Sequence, residues 1–200
     1  GDDCNTFQQR HSHTQGRCSG YRATQQEKDT IRWNLFAGRS LWVNVQSPAS
    51  KGHTMSNTVI ECVPNISEGR DLEKVHRIVD AARVEGVKIL GIEPDPDYNR
   101  TVITFAGTSD GVEHAAVALI TKAIEEIDMR SHSGEHPRMG CVDVCPFIPI
   151  SQATMEDCVA LAESVAEQIS TLNVPVFLYG YASKHADRNK LSSLRKGEYE

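Results

Sequence analysis

The sequence predicts an α+β fold of one domain, and three observations lead to this prediction. Short apolar runs typical of strands alternate with longer runs whose apolar residues recur at helical spacing. The helical runs follow residues that cap helices, and clusters of Gly, Pro, Asn and Asp separate one run from the next. This regular order begins only near residue 55, after a long polar stretch, so the domain is predicted to occupy residues 55–200.

Five strands are predicted from apolar runs that are rich in branched residues and bounded by turn formers. They span residues 58–63, 87–92, 100–105, 142–150 and 174–179, and a turn at 64–69 follows the first of them. Pro146 and Pro149 interrupt the fourth strand, and proline cannot donate a hydrogen bond to a neighbouring strand. The fourth strand is therefore predicted to lie at an edge of the sheet or to carry a bulge.

Three helices are predicted between these strands. Asp71 is placed to cap the first, which Gly86 ends, and the second begins at about Asp110. Thr154 and Asp157 resemble the capping box that starts a helix, and they precede the third. One apolar stripe on each helix indicates that each packs with one face on the core. The stripes are Leu72, Val75, Val79 and Ala82; Val112, Ala116, Leu119, Ala123 and Ile127; and Cys158, Ala162, Val165, Ala166 and Ile169.

The order of these elements predicts the topology. Strand, helix, strand, strand, helix, strand is the split βαβ pattern of ferredoxin-like folds, and a further helix and strand extend it here. We therefore predict a ferredoxin-like βαββαβ sandwich with an added α-β unit, in which the helices cover one face of a mainly antiparallel sheet.

Residues 1–54 differ in composition from the rest of the chain. They contain seven Lys and Arg against four Asp and Glu, a net charge of +3, which leaves −9 for the remainder. Their apolar residues show no sustained period, and Met55 resembles a natural start. We predict a polar extension that lies outside the fold and is disordered, or that arises from a misplaced translation start. The alternative is a docking arm that uses Trp33 and Trp42.

The composition argues against several classes of protein. The formal net charge of −6 disfavours a general binder of nucleic acid or of membrane surfaces. No apolar run reaches the roughly 18 residues of a membrane span, and no signal-peptide segment is visible. We expect a cytoplasmic protein whose six cysteines are reduced thiols. No metal is predicted, because the cysteines lack the paired spacing of structural zinc sites.

Three polar loops are candidates for the chemistry: residues 65–70, 93–100 and 132–138. The third contains His136 directly before Pro137, and proline holds the preceding residue in an extended backbone. Histidine can exchange a proton near neutral pH, so His136 is the candidate general acid and base. Whether the three loops converge is left open by the sequence. The candidate binding residues are Asn65, Ser67, Glu93, Asp95, Asn99, Arg100, His132, Glu135 and Arg138.

Most of these residues also have a structural interpretation. Asn65, Ser67 and Asp95 are common turn formers, and Asn99 can bond to its local backbone. Arg100 could form a surface ion pair. His132 could pack the loop, and Glu135 could orient an imidazole. A metal site at His132 and His136 is a weaker alternative.

Five collinear segments resemble the N-terminal subdomain of the glutamate formimidoyltransferase family over about residues 55–200. They are ECVPNISEG at 61–69, NRTV at 99–102, DMR at 128–130, GEHPRMG at 134–140 and DVCPFIP at 143–149. The resemblance implies folate-dependent transfer of a formimidoyl group between N-formimidoyl-L-glutamate and tetrahydrofolate, in histidine breakdown. It also implies that His136 is the acid and base of that reaction. Formyl transfer, and a cyclodeaminase domain farther along, are left open.

The resemblance also carries expectations for binding and assembly. Glu93 stands where the family has an aspartate, and the guanidinium groups of Arg100 and Arg138 suit glutamate carboxylates. In the family a second α/β subdomain follows, with folate in the cleft between the two. We therefore expect a missing C-terminal subdomain, or another chain, to complete the site, and a homo-oligomer such as a dimer. The alternative is a non-catalytic module that acts in folate binding or protein interaction only.

Overall fold

The computed structural model describes residues 41–45, 58–137 and 139–196, and within these ranges the chain is α+β, as predicted. The strands are β1 (Leu41–Val45), β2 (Val59–Cys62), β3 (Asn65–Ile66), β4 (Val87–Asp95), β5 (Arg100–Gly107), β6 (Val142–Ser151) and β7 (Val176–Gly180). The helices are α1 (Leu72–Ala81), α2 (Ser109–Glu126), α3 (Met155–Ser170) and the short α4 (Leu191–Leu194), with a 3-10 turn at Ala186–Arg188.

The strands form one sheet with the order β4-β5-β2/β3-β6-β1-β7. β2 and β3 occupy the same place between β5 and β6, so they are two segments of one interrupted strand line. This line continues through the interruption, because Val63 N donates to the carbonyl of Pro146 and Pro64 O accepts from Ile103 N. The predicted turn at 64–69 is therefore wrong at its start, where residues 65 and 66 are paired strand.

The core lies between this sheet and the helices. Alternate residues of the strands, such as Ile60 and Phe105, point to the helices and are fully buried. The predicted helix caps are confirmed: Asp71 caps α1, and Thr154 and Asp157 form a capping box at α3. The stripes of α2 and α3 belong to this core, apart from Ala166, which is half-buried. The prediction that Leu72 packs on the core is wrong, because Leu72 is 50% exposed in the first turn of α1.

β6 is not an edge strand, but it does carry bulges, the second of the two predicted outcomes. It pairs with β2 and β3 on one side and with β1 on the other, and its register shifts on both sides. Ile66 pairs with Val142 and Asn65 with Val144, which leaves Asp143 as the unpaired residue of a bulge. β1 skips Asp143 in the same way. The bulge places two residues, Asp143 and Val144, between the core residues Val142 and Cys145.

β1 corrects part of the prediction for residues 1–54. Leu41–Val45 pairs in parallel with β6 and with β7, so these five residues lie inside the sheet. The prediction failed there because a short run with no periodic neighbours gives no local signal, whereas strand pairing is non-local. Residues 1–40 and 46–54, including Trp33, lie outside the described residues. Trp42 lies in β1.

Val43→Pro should lower the thermal unfolding midpoint, because proline removes a backbone hydrogen bond from a strand that is paired on both sides. A lost backbone bond costs about 0.5–1.5 kcal/mol, and each kcal/mol corresponds to about 2–4 °C in a chain of this size. Val43→Thr keeps the N–H and the β-branched shape and is the matched control. Calorimetry that finds identical midpoints for wild type and Val43→Pro contradicts a place for β1 in the sheet.

None of the helices within the described ranges is both long and apolar enough to cross a membrane. Four cysteines of these ranges are buried: Cys62, Cys141, Cys145 and Cys158. Burial raises the pKa of the Cys62 thiol well above its ordinary value and that of Cys158 to about 12. The Cys62 and Cys158 thiols are therefore protonated and poorly nucleophilic at neutral pH.

Candidate active site

The three polar loops converge at one end of the sheet, which answers the question that the sequence leaves open. Asn99 joins all three, because its Oδ1 accepts from Gly69 N at 3.0 Å and its Nδ2 donates to Ser133 O at 2.9 Å. The side chain of Asn99 is 7% exposed, and its backbone is left-handed with φ of +51°. An asparagine tolerates this conformation better than most residues, which explains its presence at the junction.

Two glycines allow the backbones of these loops to touch. A Cβ at Gly134 would lie 2.4 Å from the carbonyl oxygen of Tyr98, and a Cβ at Gly69 would lie 2.4 Å from that of Asp95. Both distances are shorter than any contact a side chain can make, so the loops approach this closely only because both residues are glycine. The glycines therefore position the loops.

Further hydrogen bonds hold the three loops together. Glu135 N donates to Asp97 O, and Ser67 donates its hydroxyl to Gly140 O at 2.7 Å. Asp95 Oδ1 accepts from the backbone N–H groups two and three residues ahead, which is the pattern of an Asx turn. The predicted residues Ser67 and Asp95 thus have structural partners in the loops.

His132 is also held by the Asn99 junction. Its Nε2 lies 3.0 Å from the carbonyl oxygen of Asn99, and a carbonyl only accepts, so Nε2 carries the proton. Its Nδ1 is buried and has no partner among the described residues. A polar cavity of about 340 Å³ is lined by Ser67, Glu68, Asn99, His132 and neighbouring residues, but not by His136. The two histidines of the loop therefore lie in different surroundings.

His136 lies instead beside the bulge of β6. Its side chain is 11% exposed, its Nδ1 is 2.9 Å from Pro137 O, and its Nε2 is 3.6 Å from Asp143 Oδ2. Burial lowers the pKa of His136 below its ordinary 6.5, while Asp143 and the Pro137 carbonyl oppose this and the positive charges of Arg100 and Arg195 add to it. His136 is therefore mainly neutral at pH 7, the state that accepts a proton.

Asp143 is the site residue that the sequence prediction missed. It is 1% exposed, and its Oδ2 receives a close charge-assisted hydrogen bond from Nη2 of Arg195, directly after α4. Its Oδ1 has no hydrogen-bond partner among the described residues. A carboxylate inside the apolar run VDVCPFIPI was the available signal, since a buried Asp is rare unless it is paired. Arg195 gave no such signal, because it lies in a polar segment.

Arg100 and Glu93 lie on the two strands that lead into and out of the second loop. Arg100 begins β5, its guanidinium lies 5.9 Å from the centre of the Tyr98 ring, and its Nε is buried with no partner among the described residues. Glu93 is exposed in β4 and alternates with Ile92, which packs on the core, so it lies on the sheet face away from the helices. Asn65 is in β3, where its Nδ2 makes a long 3.4 Å contact to Val63 O.

The remaining predicted residues are Glu135 and Arg138. Glu135 is exposed next to His136, and its backbone, not its carboxylate, makes the bond to the second loop. Arg138 lies outside the described residues. A larger cavity, of about 620 Å³ and lined by residues of α2 and α3 such as Glu113 and Ser164, contains none of the predicted site residues.

The similarity to known proteins covers the part of the chain that forms the candidate site. The family model described as formiminotransferase domain, N-terminal subdomain, matches residues 59–200. A glutamate formimidoyltransferase of Thermoplasma acidophilum is 47% identical over 145 residues, which cover 72% of this chain and 48% of that protein. A glutamate formimidoyltransferase of Streptococcus pyogenes serotype M1 is 41% identical over 71% of this chain and 48% of its own length. A formimidoyltransferase-cyclodeaminase of Dictyostelium discoideum is 44% identical over 72% of this chain and 27% of its own. The chain spans at most about half the length of these relatives.

Proposed function

Because the chain belongs to the formiminotransferase family through its N-terminal subdomain, we propose that it takes part in folate-dependent formimidoyl transfer from N-formimidoyl-L-glutamate to tetrahydrofolate. The observation that carries the proposal is the setting of His136, whose imidazole is 11% exposed, held by its own loop through Pro137 O and placed beside Asp143. The setting proposed for the reaction is histidine breakdown in the cytoplasm.

His136 is suited to both proton transfers of this reaction. The attacking amine must lose a proton to bond the imidoyl carbon, and the departing glutamate amine must gain one. The Pro137 carbonyl accepts only, so Nδ1 carries the proton of the neutral ring and Nε2 is the free base. A base with a pKa near the operating pH serves both steps and typically contributes about 10²–10⁴-fold in rate.

Two further residues are proposed to contact substrate. The Nε of Arg100 is buried without a partner among the described residues, and a guanidinium fork suits a glutamate carboxylate. Glu93 lies on the open sheet face, where it can accept hydrogen bonds from folate. Asn65, Glu135 and Arg138 are kept as weaker proposals for contact. The hydrogen bonds of Ser67, Asp95, Asn99 and His132 support a role in holding the loops.

The finer fold assignment is also a proposal. The order β4-β5-β2/β3-β6, with α1 and α2 as the two crossover helices, supports an extended ferredoxin-like sandwich. The open face of this sheet carries Glu93. We propose that a second half, from a continuation of this chain or from another chain, covers the site and completes the folate pocket, and that the assembly is a homo-oligomer such as a dimer. Relatives about twice as long support this proposal.

Because the chain matches 48% of the Thermoplasma acidophilum relative, a second candidate is a non-catalytic module that keeps the fold and acts in folate binding or protein interaction only. The two are separated by measuring turnover and by calorimetric titration of the chain with 5-formyltetrahydrofolate, a stable folate analogue. If the wild-type chain shows both binding and turnover, and the double variant His136→Ala/Arg100→Gln loses both, the result supports the catalytic function. Binding without turnover favours the folate-binding module. If the chain shows neither binding nor turnover, catalysis by this chain on its own is refuted.

A further inference from the structure

Asp143 connects His136 to a residue far along the chain. Its Oδ2 faces Nε2 of His136 at 3.6 Å and is bound by the guanidinium of Arg195, which follows α4. A separate apolar cluster of Met139, Val144 and Tyr179, with leucines of α4, packs in the same region. The segment after β7 is thereby fixed beside the imidazole.

The geometry makes the charge of this carboxylate important. Asp143 is 1% exposed, and a buried carboxylate is stable only when it is paired. Its Oδ2 is the oxygen that meets both Arg195 and His136, while Oδ1 has no hydrogen-bond partner among the described residues. The distance of 3.6 Å exceeds a normal hydrogen bond, so the neutral ring is not bonded to Asp143. Once Nε2 takes a proton, an N–H faces a carboxylate and the imidazolium is stabilised.

We propose that Asp143 and Arg195 are positioning residues that act as a pair and set the proton affinity of His136. Asp143 stabilises the protonated ring, and Arg195 limits this effect by neutralising part of the carboxylate charge. The catalytic meaning of the pair depends on the proposed function, but its effect on the histidine does not. The charged groups of described residues that act on His136 are Asp143 of β6, Arg100 of β5 and Arg195 after α4.

The two members of the pair should shift the pKa of His136 in opposite directions. Asp143→Asn removes the negative charge and should lower the pKa further. Arg195→Gln removes a positive charge that acts on His136 and should raise the pKa of His136. A charge of this kind within about 4–6 Å moves a pKa by roughly one unit or more, a tenfold change in proton affinity. A purely structural role for the pair does not give opposite signs.

The experiment is an NMR pH titration of the imidazole signals of the full chain. The chain has eight histidines, so the His136 signal is assigned by its loss in His136→Asn. Arg195→Lys keeps the charge and should keep a near wild-type value. Arg188→Gln is the matched control, because Arg188 lies in the same segment but packs over Phe177, with 5.5 Å to the ring centre.

Opposite shifts in Asp143→Asn and Arg195→Gln, with Arg195→Lys and Arg188→Gln unshifted, support the proposal. Equal shifts in the two variants, or none, overturn it. If Asp143→Asn fails to fold by circular dichroism, the comparison of Arg195→Gln with Arg195→Lys decides, since a rise in the first alone supports the pair and no difference overturns it. The titration needs no turnover, so an inactive chain that shows these shifts refutes catalysis by this chain on its own and leaves the pair intact.

Discussion

His136→Ala is expected to lower formimidoyl-transfer turnover by at least about 10²-fold with the fold intact. The substitution removes the Nε2 base that lies beside Asp143, and water does not replace a base that is held in place. The ring hydrogen bond of His136 goes to the neighbouring Pro137 O within its own loop, so its loss should leave the unfolding midpoint nearly unchanged. Steady-state turnover and a thermal melt of the same preparation provide the measurement.

His132→Ala is the matched control for His136→Ala, because it removes the same ring from the same loop. His132 donates to Asn99 O, so its loss should affect stability more than chemistry. The acid limb of kcat/KM offers an independent reading in the wild type. Only neutral His136 accepts a proton and burial lowers its pKa, so activity should rise with pH through a midpoint below 6.5 and then level off. Wild-type-like turnover in His136→Ala would refute the assignment.

The parts of the fold that sequence predicts well are those with local causes. Asp71 and the Thr154–Asp157 pair cap helices within three residues of themselves, so the sequence alone identifies them. The stripe of α2 follows a 3.6-residue period over 18 residues, and its predicted members are buried. The predicted burial of Leu72 is wrong because an apolar stripe does not reveal which turn of a helix extends beyond the sheet.

The parts that sequence misses depend on distant partners. Leu41–Val45 becomes a strand only because β6 and β7 lie on either side of it, about 100 and 135 residues away. Asn65 is a common turn former and Ile66 follows it within the predicted turn, yet both residues pair with β5 and β6. The bulge at Asp143 is visible only in the register of two neighbouring strands.

The candidate site divides in the same way. His136 was predicted from its chemistry and from Pro137, which are features of the loop itself. Its partner Asp143 was not, because a strand bulge turns that carboxylate toward the loop and an arginine 52 residues later binds it. Asn99 was predicted as a candidate for ligand contact or local bonding, yet its partners are 30 and 34 residues away. Spacing along the chain cannot reveal either arrangement.

Asn99→Ala is expected to cost about 3 kcal/mol of unfolding free energy. It leaves the buried N–H of Gly69 without its acceptor and removes the bond to Ser133 O, at about 1–3 kcal/mol for an unsatisfied buried group. It also forces alanine into a left-handed backbone at φ of +51°, which adds about 1–2 kcal/mol. At about 2–4 °C for each kcal/mol, the midpoint should fall by about 6–12 °C.

Asn173→Ala separates the two causes, because Asn173 has a similar φ of +61° but an exposed side chain. It should lose only the backbone contribution, about 1–2 kcal/mol. Asn99→Gly measures the hydrogen-bond contribution alone, since glycine adopts the left-handed backbone without strain but lacks the side chain that makes both hydrogen bonds. Asn99→Ala should therefore be the least stable of the three in chemical unfolding. If Asn99→Ala and Asn173→Ala cost the same, the bonds to Gly69 and Ser133 contribute nothing measurable, and Asn99 does not hold the three loops together.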